Sequence, residues 1–186
     1  TIGKLNATWV TANGGTPVSP ITAGYATTVL QPGDPSKTHY MFTGWFSDAE
    51  LTQRVNWPLQ MPIGGLTLYA GWSLIPVTLA FDSNNGSPVE SVTEAPGTIV
   101  PKPDDPTRET YSFEGWFYDI AFTQPVAWPV ELSFSNLTLY AKWSVNQYTV
   151  AFESNGGTSV DPITVDPNVA VYAPGVPVKT GYTFIG

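Results

Sequence analysis

The sequence predicts a mainly β protein with a short helix, arranged as tandem modules of about 71 residues. A repeated phrase is the first sign: YMFTGWFSD at 40–48 returns as YSFEGWFYD at 111–119 and begins again as GYTFIG at 181–186. Constant spacing is the second. Asn13, Asn84 and Asn155 lie 71 residues apart, as do Tyr40, Tyr111 and Tyr182, then Phe42, Phe113 and Phe184, then Gly44, Gly115 and Gly186, with no insertion needed between them. The third is punctuation: 17 Gly and 18 Pro sit in turns such as PGD, NNG, APG and NGG between alternating apolar stretches, which suits short strands and tight turns. Two complete units and part of a third follow, with repeat unit 1 over 1–75, repeat unit 2 over 76–146 and a partial repeat unit 3 over 147–186.

Each unit opens on a hairpin signal. TLAFDSNNGSPVESVT runs as an alternating stretch, a turn rich in Asn and Gly, and a second alternating stretch. YSFEGWF then alternates Tyr111, Phe113, Gly115 and Phe117 with Ser112, Glu114 and Trp116, as a strand buried on one face and partly covered on the second does. DAELTQ at 48–53 is the expected short helix, with Asp48 capping the free amides of its first turn; the matching DIAFTQ is a weaker helix former. LTLYAKW closes the unit and places Leu137, Leu139, Ala141 and Trp143 on one face. A module of this size buries only a modest core. Repeated aromatics answer that limit, since each buried ring removes about 150–250 Å² from water at about 25 cal/mol per Å². Tyr40, Phe42, Leu66, Leu68 and Trp72 are therefore expected to be buried, with Tyr111, Phe113, Leu137, Leu139 and Trp143 as their counterparts.

Taken together, the strand running into Asn84-Asn85-Gly86, the approach from Pro103 to Arg108, the strand from Tyr111 to Phe117 and the closing stretch from Leu137 to Trp143 resemble the Listeria–Bacteroides repeat. That module is also found as the B repeat of internalin-type surface proteins. The resemblance covers nearly the whole chain, and its departures are local. His39 and Thr110 stand where Gly181 follows the family, Gly71 where Lys142 follows it, and Trp9 where the other units carry Ala80 and Ala151. The resemblance implies β-grasp-like modules strung along secreted or wall-attached bacterial proteins. It further implies stalk or adhesive duties, an extracellular place at the cell surface or cell wall, and no enzymatic activity. It supplies no functional residue to carry over.

The residues themselves agree on the negative part. Seven basic side chains against 15 acidic ones, with no Lys/Arg cluster, leave nothing to neutralise phosphates, so no nucleic-acid partner is expected. Without cysteine there is no disulfide, thiol nucleophile or Cys-based zinc site. No apolar run reaches the length of a spanning helix, and no membrane insertion is expected of this segment. His39 is the single histidine, so a His-dependent triad or metal cluster lacks its second imidazole. Asp104-Asp105 and the Asp48/Glu50 pair lack calcium-loop spacing and read as solvated turn carboxylates. Asn13-Gly14-Gly15 lacks the lysine and helix of a phosphate loop and reads as a hairpin turn. An isopeptide crosslink shared by the units has no lysine to use: Lys102 and Lys142 match Gln31 and Gly71, and the one persistently basic position holds Lys37, Arg108 and Lys179. The sequons at Asn6 and Asn136 matter only in a eukaryotic secretory pathway. No catalytic residue, metal or cofactor is expected.

Positions that repeat report the fold, so a partner site is sought where the copies differ. Trp9, Tyr25, Tyr118, Phe122, Phe134 and Tyr172 are large residues matched in other units by Ala80, Pro96, Ser47, Leu51, Ile63 and Pro101. They form the candidate partner-binding set for a host protein or glycan, with extra core packing as the competing account of each. Charge differs too: unit 1 is neutral, unit 2 carries three basic and nine acidic residues, and unit 3 one against three. An acidic middle unit suits solubility better than recognition of anionic glycans. Two readings stand, a structural stalk or spacer and an adhesive binding module, and exposure of the unit-specific aromatics on one face separates them. Unit 3 keeps its hairpin from Tyr148 to Thr164 without a closing strand. It is expected to be ordered only by pairing with another chain, by exchanging an element or within a longer protein. Linkers as short as Ser73–Pro76 and Ser144–Gln147 predict a semi-rigid rod that gains roughly 30 Å per unit.

Overall fold

The computed structural model describes residues 4–11 and 14–186, and among these the chain forms fourteen strands and no helix. The first repeat holds β1 (Leu5–Val10), β2 (Ile21–Ala23), β3 (Thr28–Val29), β4 (Tyr40–Phe46), β5 (Leu59–Gln60) and β6 (Leu66–Leu74). The second holds β7 (Val77–Asp82), β8 (Val92–Glu94), β9 (Ile99–Val100), β10 (Tyr111–Phe117), β11 (Val130–Glu131) and β12 (Leu137–Val145), and the third β13 (Tyr148–Val150) and β14 (Ile163–Val165). β1 pairs antiparallel with β2 and parallel with β6, which pairs antiparallel with β4, giving the order β2-β1-β6-β4. The sheet β10-β12-β7-β8 repeats this topology, with β12 parallel to β7 and antiparallel to β10. First and last strands lying parallel at the sheet centre make the β-grasp-like arrangement, so the mainly β expectation holds. Short ladders join β3 to β5, β9 to β11 and β13 to β14.

The short helix expected at 48–53 does not form. Asp48 does gather the free amides of that segment, accepting from Thr52 N–H, Thr52 Oγ1–H and Gln53 N–H at 2.9, 2.6 and 2.8 Å. Asp119 does the same for Thr123 and Gln124. Leu51 and Phe122 then turn left-handed, both at φ 57°, and the chain leaves after a single turn.

Contacts gather the chain into two compact units: Thr1–Val77 with Thr93–Thr98 and Glu131–Ser135, and Thr78–Val92 with Ile99–Val130 and Asn136–Gly186. In the first, Ala7, Trp9, Val29, Trp45, Met61, Leu68 and Ala70 form the core, and Trp45 is its largest fully buried side chain. The sequence alternation had put Trp116 opposite Phe113, and a bulge overturns this. Pairing runs Phe113 to Trp143 and then Gly115 to Lys142, and the same shift separates Phe42 from Gly44. One extra residue re-phases a strand. Trp45 and Trp116 thereby turn onto the face of Phe42 and Phe113, whose rings they meet edge to face at 5.4 and 5.5 Å. Gly44 and Gly115 adopt φ 134° and 139°, where a side chain is disfavoured. The repeated Gly-Trp is thus a bulge followed by a core anchor. Of the residues expected to be buried, Leu68 and Leu139 are fully so, while Tyr40, Phe42, Leu66, Trp72 and their counterparts are half-buried.

The uniform spacing also fails at one place. Trp9 pairs with Leu68, yet Leu139, 71 residues beyond Leu68, pairs with Phe81, which lies 72 beyond Trp9. Trp9 therefore takes the place of Phe81 rather than that of Ala80. The rings agree: Trp9 lies 5.0 Å from Trp45 and 6.0 Å from Trp57, and Phe81 lies 5.0 Å from Trp116 and 6.4 Å from Trp128. Register is regained by Gly15 and Gly86, where a Cβ would run into Trp72 and Trp143 respectively. The first repeat carries its extra residue between Trp9 and Gly15, in the turn whose Asn13 lies outside the described residues.

Candidate functional site

The persistently basic position has a structural task. Arg108 stacks 3.7 Å above the Tyr111 ring and donates to the carbonyl of Asn84 at 3.2 Å. Lys179 lies 4.6 Å from the Tyr182 ring and donates to the carbonyl of Asn155 at 2.8 Å, and Lys37 lies 4.0 Å over Tyr40. Any cation on a long stem can bridge a ring and a carbonyl, so Lys and Arg interchange here. Their shared charge at a constant distance from the tyrosine was the signal for this clamp, and nothing in it is reactive.

The acidic residues are likewise occupied. The Thr52 hydroxyl, with the amides of Gln53 and Thr52, holds Asp48 below its ordinary pKa, and the Thr123 amide does most of the same for Asp119. Glu114 is lowered chiefly by the Lys142 ammonium, 2.7 Å away. That pair accounts for Lys142. In the first repeat the Phe46 ring and the Thr43 hydroxyl occupy the corresponding space, which a Cβ at Gly71 would enter. Lys102 meets Asp105 at 2.6 Å, and among the described residues no three His, Asp or Glu side chains converge as a metal site. His39, Thr110 and Gly181 share a left-handed backbone at φ 65°, 64° and 79°, which explains why glycine suits the position.

The unit-specific aromatics go to different places. Trp9 is 7% exposed, packed in the core and tied by its indole N–H to Ser19 O at 2.9 Å, so it offers no surface to a partner. The one-residue offset of β1 is the reason. Phe122 is half-buried against Phe117 at 5.6 Å, and Phe134 packs on His39 at 4.6 Å. Tyr25, Tyr118 and Tyr172 are exposed, and so is Phe134 despite its contact with His39. Tyr25 and Phe134 belong to the first compact unit and Tyr118, Phe122 and Tyr172 to the second. Among the described residues no ring of this set stacks on another of the set. Trp45 and Trp116, absent from the residues expected to be buried, are the side chains on which each complete repeat centres, and the glycine preceding each was the available sign.

The profile of the Listeria-Bacteroides repeat domain matches residues 7–71, 78–142 and 148–186, in step with the three copies. The chain belongs to the Listeria-Bacteroides repeat family. It is 36% identical over 176 residues to a protein of Evansella cellulosilytica named "Putative membrane protein", covering 94% of this chain and 26% of the relative. A second protein of that organism, named "Putative Gly-rich membrane protein", is 35% identical over 175 residues, covering 94% of this chain and 20% of the relative. Internalin H of Listeria monocytogenes is 33% identical over 132 residues, covering 68% of this chain and 23% of that protein. This Listeria-Bacteroides repeat chain thus spans between 20% and 26% of the relatives it matches. Among the described residues no helix is long and apolar enough to cross a membrane.

Proposed function

We propose that the chain is a non-enzymatic stalk or spacer segment of a bacterial cell-surface protein, placed at the cell wall or outside it and organised as units 1–75, 76–146 and 147–186. The observation that carries this reading is that each device recurring between copies serves the fold. The Gly-Trp bulge builds the core, the cation–tyrosine clamp holds the first turn, and the Asp48 and Asp119 turns close on their own amides. Family membership and the name of the Listeria relative support the surface setting.

An adhesive module for a host protein or glycan is the second reading, favoured by the exposure of Tyr25, Tyr118 and Tyr172. Exposed Tyr182 and Phe184 support chain-chain pairing through unit 3. The test displays the chain on cells between a wall anchor and an epitope tag. Removing 76–146 is expected to lower epitope accessibility, and a second copy of that unit to raise it. Accessibility indifferent to unit number, together with host attachment that vanishes when the three tyrosines are replaced, would establish the adhesive module instead.

A further inference from the structure

We propose that Asn155-Gly156 is a site of spontaneous conversion of amide to acid, and that Asn85-Gly86, the same dipeptide, is protected by its place in the turn. In this reaction the backbone nitrogen of the glycine loses its proton to solvent and attacks the asparagine Cγ. The bond from Cγ to Nδ2 breaks, ammonia leaves, and a five-membered succinimide remains. Water then opens the ring at either carbonyl, giving isoaspartate or aspartate. Rate depends on an exposed asparagine, on a following residue without Cβ, and on a glycine nitrogen free to move onto Cγ.

The two dipeptides occupy turns of the same kind, one residue out of step. Ser83-Asn84-Asn85-Gly86 is closed by Gly86 N–H donating to Ser83 O at 2.9 Å, and Ser154-Asn155-Gly156-Gly157 by Gly157 N–H donating to Ser154 O at 3.0 Å. For Asn85 the attacking nitrogen is therefore the one that closes the turn. For Asn155 it is that of Gly156, at the turn centre, and among the described residues no acceptor meets that N–H. Gly156 sits at φ 81°, and Asn155 is exposed. Asn84, which aligns with Asn155, is held back twice: its side-chain amide donates to Ala141 O at 3.4 Å, and it is followed by Asn85, which has a Cβ. Lys179, whose ammonium donates to Asn155 O at 2.8 Å, places positive charge where the attack develops negative charge. Conversion adds a carboxylate beside that ammonium and, in the isoaspartyl form, a methylene to the backbone of the clamped turn.

The test incubates the whole chain in native buffer and in guanidinium, then locates isoaspartate by peptide mapping with mass spectrometry and enzymatic isoaspartyl methylation. In native buffer Asn155 is expected to convert about three- to tenfold faster than Asn85, the factor that one net hydrogen bond represents. In guanidinium the two rates should become alike. Equal rates in native buffer, or a preference that survives unfolding, would overturn the proposal. So would isoaspartate persisting in the 155 peptide of the Asn155→Gln chain.

Discussion

Trp143 donates its indole N–H to the carbonyl of Ser83 at 2.9 Å, the same oxygen that accepts the turn-closing bond of Gly86. The last strand of the repeat is thereby fastened to its first turn, with the ring occupying the space a Cβ at Gly86 would need. Gly86→Ala is expected to cost about 1–3 kcal/mol as overpacking, and Trp143→Phe about 1 kcal/mol for the lost hydrogen bond. Because both act on one contact, urea unfolding of the double variant should show less than the sum. Full additivity would mean that ring and glycine act independently.

Trp9 supplies a test of the displaced first strand. If it stands in the place of Phe81, Trp9→Phe should cost under about 1.5 kcal/mol as a near-conservative core exchange. Trp9→Ala, the residue that uniform 71-residue alignment suggests, should cost about 3–5 kcal/mol. Similar midpoints for Trp9→Ala and the natural chain in denaturant unfolding would return Trp9 to the surface.

These two cases mark how far the sequence could be read. The period and the order of the strands were legible because they depend on residue type and spacing. The bulge at Gly44 and Gly115 was not: period-two reasoning assumes an unbroken pleat, and one inserted residue reverses the facing of all that follows. Trp9 was misplaced because alignment by identity is blind to a compensating offset inside a turn. The missing helix reflects Leu51 and Phe122 in left-handed conformations, which side-chain propensities give no reason to expect. Of the candidate partner residues, sequence difference named the positions but had no means of giving exposure.

The left-handed corner at 110 yields a stabilising substitution. Thr110 is β-branched and sits at φ 64°, where Gly181 supplies the unstrained alternative. Thr110→Gly relieves steric strain but also loosens the unfolded chain. The expected net gain is about 0.5–1 kcal/mol, read as a raised midpoint in thermal unfolding. A lowered midpoint would show that the Thr110 side chain contributes more than its backbone costs.

Acid should open the two aspartate turns. Asp48 and Asp119 both lie below their ordinary value of 3.8 because amides and hydroxyls bond to the charged form. A depressed folded pKa contributes stability that is fully present above the unfolded value and lost as pH falls through the folded one. The NMR shifts of the Thr52, Gln53, Thr123 and Gln124 amides should therefore titrate with midpoints below 3.8. Midpoints at or above that value would remove these bonds from the account.

The spacer account is met most directly by host attachment of cells displaying a chain whose unit-specific aromatics other than the buried Trp9 carry their counterparts: Tyr25→Pro, Tyr118→Ser, Phe122→Leu, Phe134→Ile and Tyr172→Pro. The account predicts that attachment to host cells and to immobilised glycans is the same for the exchanged and natural chains, with the folded state retained by circular dichroism. Attachment by the natural chain that disappears in the folded, exchanged one would contradict it.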